Sequence, residues 1–418
     1  MATEQDIRLS SRSAFSGRTA LRNIVRLIPA VVIIAAMLNT LSCDTSGLLS
    51  STSGSSSPTA TPTSTAGTLA YVTNFNDGKL SSFTRNTTTG VLTHTGQVKA
   101  GAKKGPRGVV AAPGGSYLYV ANINDDNIYE YSINSTKGIP SALPTPSISN
   151  GSGTSPDELA ITTTTGGTTL MWVTGQAGTV TWYTVNATTG QLTRGSSIGG
   201  FSTPFGITLH PTLAVLYVSD TTTGLIWPMS YNLSTGALLK NYTAVHSSDV
   251  NANTPAAIAI DSAGAALFIA DQKIGEVSSF SVDPTTGALS PVAVFANSNV
   301  NDVPIGLGIA INAGIEYLFT ANQGISGTLA GSVSSFQQAF TATNLITPPT
   351  TASPCNGPTG LAVDPAYLFV YTADFFDGTV SQSIIKGSCG SSICVGPTVN
   401  TESPANSKSG PFGITLAQ

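Results

Sequence analysis

The chain has 418 residues, of which 40% are hydrophobic and only 9% charged, with a formal net charge of −4. Soluble domains average about 25% charged residues, so Gly, Ser, Thr, Asn and Pro must carry much of the solvent contact. So low a charge density, acidic on balance, excludes a nucleic-acid binder, which needs clustered positive charge to displace counterions from phosphates. The hydrophobic fraction suffices for a large core, in one big all-β domain or two ordinary ones.

Residues 1–43 read as an export signal. Arg8, Arg12, Arg18, Arg22 and Arg26 precede an apolar run, Leu27 to Leu38, followed by Thr40-Leu-Ser-Cys43. The run is shorter than the ~20 residues a membrane span needs. Cys43 resembles the lipidated cysteine of bacterial lipoproteins: Ser42 fits the position before it, whereas Thr40 stands where Leu is usual. The alternatives are a non-cleaved anchor and ordinary signal cleavage beside Cys43. Residues 44–67 are almost wholly Ser, Thr, Gly, Pro and Ala, a composition expected to form a flexible tether. Without residues 1–43 the mature chain carries 12 basic and 19 acidic side chains, a formal −7. The expected location is outside the cytoplasm, as a lipoprotein facing the periplasm or cell surface and touching the membrane through its lipid alone.

From residue 68 onward one short run recurs. It appears as Tyr71-Val-Thr-Asn74, Tyr119-Val-Ala-Asn122, Trp172-Val-Thr-Gly175, Tyr217-Val-Ser-Asp220, Phe268-Ile-Ala-Asp271, Phe319-Thr-Ala-Asn322 and Tyr371-Thr-Ala-Asp374. Six intervals cover the 300 residues from Tyr71 to Tyr371, a mean period of 50 that signals a repeat architecture. Each repeat resolves into four strand candidates. The fifth is the clearest, with runs at 254–261, 266–270, 276–282 and 288–295, rich in β-branched and aromatic residues. Between the third and fourth runs stand Asn86-Thr-Thr-Thr-Gly90, Asn134-Ser-Thr-Lys-Gly138, Asn186-Ala-Thr-Thr-Gly190, Asn232-Leu-Ser-Thr-Gly236 and Asp283-Pro-Thr-Thr-Gly287. An Asx side chain accepts from backbone N–H groups two residues on, and Gly supplies the positive φ that ends such a turn. Repeats six and seven depart, with Gln337-Gln-Ala-Phe340 and Lys386-Gly-Ser-Cys389. The Asn or Asp closing the second run reads as another turn residue.

The two ends complete each other. The folded part begins on a second strand, and Gly410-Pro-Phe-Gly-Ile-Thr-Leu-Ala417 matches Thr203-Pro-Phe-Gly-Ile-Thr-Leu209, the first strand of another repeat. The expected fold is therefore an all-β, seven-bladed propeller over residues 68–418, with blade one closed by the C-terminal strand. Export permits disulfides: Cys389 and Cys394 flank a hairpin turn and form the favoured pair, with Cys355 bonded to either as the alternative. His94, His210 and His246 are scattered, and neither a metal nor another cofactor is expected.

The Tyr-Val-Thr-Asn segment, the Pro-x-Gly-[Ile/Leu] strand entry and the Asx-x-[Ser/Thr]-x-Gly-x-Leu turn resemble the YVTN-type repeats of seven-bladed, lactonase-like propellers, a group similar to 6-phosphogluconolactonase. The resemblance covers residues 68–418 and rests on scaffold residues, so it marks the fold more than the activity. Such a fold implies that first strands line a central channel and that the residues after the entry prolines surround one mouth: Arg107, Asp157, Phe205, Ala256, Ile305, Thr359 and Phe412. Only blades two and three offer charge there, and blade three has Glu158 in place of the entry glycine. Lys99, Lys103, Lys104 and Arg107 place four of the twelve mature cations within nine residues.

This polarised sector would capture an anionic ligand through Lys103, Lys104, Arg107 and Asp157, with Arg107 as a carboxylate or phosphate clamp. The competing reading is a solvated loop with one Arg–carboxylate bridge, worth about 0–1 kcal/mol. Lactone hydrolysis needs a base to activate water and a donor for the oxyanion. Glu158 can serve as the base near Arg107, but no histidine is expected beside them, whereas the resemblance implies His, Glu and Arg together around the channel. His210 falls at the other channel end, and Arg85 and Arg194 lie by outer turns. Asn124, Asp125 and Asp126 offer a further cation-type turn that can equally satisfy itself. The main functional expectation is a tethered, monomeric binding module for an anionic small molecule, glycan or envelope protein; the alternative is a sugar-acid lactonase at the blade two–three sector. A structural surface protein is the third possibility. A mouth filled by Phe205, Phe412 and their neighbours would weaken both ligand-binding readings.

Overall fold

The computed structural model describes residues 68–134, 138–247, 254–273, 275–296, 303–312, 315–324, 331–338, 350–352, 357–385, 393–400 and 409–417. Among them all regular structure is β, in seven antiparallel sheets. The export signal, the tether, Cys43, Cys355 and Cys389 lie outside the described residues. Cys394 falls in the outer strand of blade seven, Ile393–Asn400.

Seven inner strands line the axis: Pro411–Ala417, Pro106–Ala111, Pro156–Thr163, Pro204–Leu209, Pro255–Ile260, Pro304–Asn312 and Pro358–Val363, for blades one to seven. Each packs on the next, and the seventh returns to the first. The C-terminal strand pairs with Leu69–Asn74, with Leu69 opposite Ala417 and Tyr71 opposite Thr415, so both chain ends build blade one as expected. Blade four departs from four plain strands: its third strand, Leu225–Tyr231, pairs with two short pieces, Leu238–Leu239 and Val245–His246.

The second strands carry the recurrent motif and are the most deeply buried; Leu69–Asn74, Val215–Asp220, Ala266–Asp271 and Phe369–Asp374 are covered at every residue. Burial on both faces explains why they read as continuous apolar runs and not as alternating ones. Among the described residues seven core clusters fall one to each pair of neighbouring blades: Tyr71 with Leu118 and Val120, Tyr119 with Met171 and Val173, and so on to Tyr371 with Val72 and Phe83; an eighth lies around Phe205 and Phe412.

The repeated motifs latch blade to blade. Tyr71 Oη donates to Gly138 O at 2.8 Å, Tyr119 to Gly190 at 2.7 Å, Tyr217 to Gly287 at 2.9 Å and Tyr371 to Gly90 at 2.6 Å. Trp172 does the same through Nε1 to Gly236 O at 2.8 Å. In each case the acceptor is the glycine of the next blade's Asx turn, where Asn86, Asn186, Asn232 and Asp283 accept from the N–H group two residues on, as expected, and also from the one after it. Phe268 and Phe319 lack the donor, and the blades they face, six and seven, are those whose sequence lacks the Asx-to-Gly turn. Motif and turn are therefore one device.

The Asn or Asp ending the second strand is more than a turn residue. Asn74, Asn322, Asp271 and Asp374 are buried and bond third-strand hydroxyls, Asn74 to Ser81, Asn322 to Ser334, Asp271 to Ser278 and Asp374 to Ser381.

Candidate functional site at the channel mouth

In every blade the proline entry is a bulge, both in the five that read Pro-x-Gly and in blades three and five, which have Glu158 and Ala257 at the glycine position: the register slips between the proline and the residues that follow. A bulge tolerates the proline, which cannot donate to the ladder, and re-aims the residue after it. The entry glycine lets the rings of backbone pack closely. A Cβ at Gly108 would stand 2.3 Å from Asp157 O, and one at Gly360 would stand 2.3 Å from Phe412 O. The small hydroxyl residue of the second strand reinforces this contact, with Thr73 Oγ1 donating to Arg107 O at 2.6 Å and Ser219 Oγ to Ala256 O at 2.6 Å.

Glu158 occupies the glycine position of blade three and its side chain lines a channel cavity of about 160 Å³. Val109, Ile207, Ile258, Leu361 and Ile414 make its walls apolar, and Phe205, Ile305, Thr359 and Phe412 stand at its mouth. Among the described residues the Glu158 carboxylate accepts no hydrogen bond; only its backbone is engaged, through Thr174 Oγ1. Burial, and then the neighbouring Asp157 charge, push its pKa up to about 8 against the opposing charge of Arg107.

Arg107 and Asp157 meet as expected. Arg107 Nη1 lies 2.7 Å from Asp157 Oδ2, with the Asp157 side chain fully buried and that of Arg107 16% exposed. The pair is therefore not a solvated surface bridge, and breaking it would leave a buried charge. Gln176 Nε2 donates to the same carboxylate oxygen at 2.6 Å. Burial raises the Asp157 pKa, and the Arg107 charge and the Gln176 bond oppose the shift. The guanidinium also rests on aromatic faces, 4.2 Å from the Phe412 centroid and 5.6 Å from that of Phe205. Among the described residues Arg107 Nε and Asp157 Oδ1 are buried without a partner, which leaves one donor and one acceptor there unused.

The mouth is partly filled. Phe75, Phe375 and Phe412 lie 6.2–6.4 Å apart between centroids and form one apolar cluster with Phe205, Ala256 and Ile305. Phe75, Phe375 and Gln176 come from the residue directly after the second strand. That position was readable by the same blade-by-blade alignment that singled out the entry residues, because it too faces the mouth.

Lys103 and Lys104 do not join Arg107. With Lys79 and Lys99 they line a separate groove outside the channel. Asn124, Asp125 and Asp126 are used internally: Asn124 bonds Lys104 O, Asp125 accepts from Ala102 N and Tyr129 Oη, and Asp126 accepts from Gly153 N and Ser155 N. His210 lies at the far end of its strand, with Nδ1 accepting from Thr212 N and Leu213 N and Nε2 facing Gly264 O at 3.1 Å. Arg85 is in a buried pair with Asp364 at 3.2 Å, and Arg194 bonds Asn150 O, both away from the mouth.

Seven blades, six of four strands and one of five, around a channel with one polar sector define a seven-bladed propeller with a mouth site. The model of the family "Lactonase, 7-bladed beta-propeller" matches residues 37–151 and 196–303, more than half of the sequence, and the chain belongs to that family. It is similar in structure to a candidate 6-phosphogluconolactonase of Bacteroides fragilis, with a TM-score of 0.70 and 15% identity over 87% of this chain and 100% of the other. It is also similar to the periplasmic gluconolactonase of Pseudomonas aeruginosa, with a TM-score of 0.65 and 14% identity over 84% and 98% of the two chains. At such identities the likeness is one of fold. No curated protein matches the sequence.

Proposed function

We propose that the protein hydrolyses a sugar-acid lactone at the blade two–three sector of the channel mouth. The observation that carries this is Glu158: a cavity-lining carboxylate without a hydrogen-bond partner among the described residues, close enough to Arg107 for that charge to oppose its upward pKa shift. Water attacks the lactone carbonyl carbon as the Glu158 carboxylate takes its proton; Arg107 faces the oxygen that becomes negative. The ring C–O bond then breaks, and the departing alkoxide takes the proton from Glu158 to give the hydroxy acid. Asp157 acts as a positioning residue for Arg107, and Phe205 and Phe412 offer apolar faces to the C–H face of a sugar ring. Family membership supports the reaction class, as does the gluconolactonase name of the Pseudomonas aeruginosa neighbour.

The test is ring opening of aldonolactones by the purified protein, followed against spontaneous hydrolysis. Turnover that drops to background in Glu158→Gln, and falls about 10²-fold in Arg107→Gln, is the expected result. No turnover on any aldonolactone overturns the proposal. Saturable lactone binding without turnover would instead support a binding module, although the phenylalanines that partly fill the mouth count against both ligand-binding readings. Export and tethering through Cys43 complete the proposal. Cys43→Ser should move the protein from the membrane to the soluble extracytoplasmic fraction, whereas unchanged membrane retention would remove the lipid anchor from it.

A further inference from the structure

The groove between blades one and two lies outside the channel, and the lactonase reading makes no use of it. It has a volume of about 430 Å³ and is lined by Lys79, Lys99, Lys103 and Lys104 together with Asp77 and Gln97. Four of the nine lysines in the sequence thus share one groove, and among the described residues none of the four forms an ion pair. Lys79 and Lys99 are direct cross-strand partners. Like charges so placed destabilise a sheet unless an anion lies between them.

The opposite wall is a loop held in one shape. Asn122 Nδ2 donates to both Ala100 O and Lys103 O at 3.0 Å, and Asn124 Nδ2 donates to Lys104 O at 2.7 Å. Ala102 N donates to Asp125 Oδ2 at 2.9 Å, and Tyr131 Oη to Lys99 O at 2.6 Å. Gly78 fits against this loop, since a Cβ there would lie 3.3 Å from Lys104 Cα. Backbone polar groups of the loop are consumed within the protein, whereas among the described residues only one of the four ammonium groups is engaged, Lys79 Nζ donating to the neutral Gln97 Oε1 at 3.4 Å. Holding four like charges on a rigid frame lowers the ordering cost of binding their counter-charge.

We propose that this groove is a binding site for a compact anion with two or more negative charges, of the phosphate-ester type, separate from the channel site. Lysine suits such a ligand as a point charge that needs no fixed planar geometry. The probe is inorganic pyrophosphate, titrated calorimetrically into the full-length protein, with glucose 6-phosphate and polyphosphate as further arms. These arms separate a small phosphate ester from a phosphate polymer as the source.

Saturable pyrophosphate binding with a Kd below about 1 mM is expected, lost in about 1 M NaCl, where the screening length falls to about 3 Å. Lys99→Gln/Lys103→Gln should weaken it at least about tenfold. Lys79→Gln should raise the melting temperature in anion-free buffer by relieving the cross-strand repulsion, which reads the charge cluster without any ligand. Absence of saturable binding, or equal affinity in the double variant, overturns the proposal. So does a Lys79→Gln variant no more stable than the parent. Lactone turnover is a separate readout, because none of these lysines lines the channel cavity.

Discussion

A single side-chain donor ties each latch together, a tyrosine hydroxyl in four and the Trp172 indole N–H in the fifth. Tyr71 Oη is buried and its acceptor is the carbonyl of a turn in the next blade. Tyr71→Phe leaves Gly138 O without its donor and should destabilise the fold by about 1–3 kcal/mol, measurable by urea unfolding. Phe268→Tyr should gain nothing comparable, since the blade it faces lacks the glycine-ended turn. The sequence displays this correspondence of Tyr or Trp with Asx-to-Gly turns and of Phe with their absence, yet the two motifs are read separately unless ring order is known. The role of the terminal Asn or Asp was only half legible. Its turn propensity is local chemistry, whereas its bonds to Ser81, Ser278, Ser334 and Ser381 depend on strand register.

Ring closure is the weak point of any propeller, and here the last element is the strand Pro411–Ala417. Around it blade one meets blade seven through Tyr371 to Gly90, Gln382 Nε2 to Thr89 O at 2.8 Å, and the buried Arg85–Asp364 pair. Arg85→Leu leaves Asp364 charged and buried and should cost about 3–5 kcal/mol, recovered in large part by Arg85→Leu/Asp364→Leu if the carboxylate is the cause. A double variant no better than the single one would place the loss elsewhere, in the backbone N–H groups of Leu368 and Phe369 that Asp364 also accepts. Closure by the C-terminal strand was legible because its sequence matches an internal strand. The Arg85–Asp364 pair was not, because its members lie 279 residues apart. The charged entry of blades two and three was found by what interrupts the repeat. The lysines beside it in sequence turn outward, since the bulge that aims Arg107 at the channel begins only at Pro106.

Across the molecule, several carboxyls prefer their protons. Burial pushes Glu130, Glu316 and Asp374 up to about 7 and Asp271 up to about 6, and among the described residues both Glu316 oxygens are buried without a partner. A folded-state pKa above the unfolded value gives stability that is complete below the unfolded pKa and lost as pH rises through the folded one. The melting temperature should therefore fall from pH 5 to pH 8, and Glu316→Gln should flatten that slope; a melting temperature that rises over the same range would contradict the burial argument.

The channel reading meets its most direct test in the pH dependence of kcat/KM for an aldonolactone. With Glu158 as the base, the rate should rise with pH, bend near the carboxyl's pKa of about 8 and level off above it. The rise should vanish in Glu158→Gln. A profile flat through that region, or the same rise in the variant, would show that Glu158 is not the base.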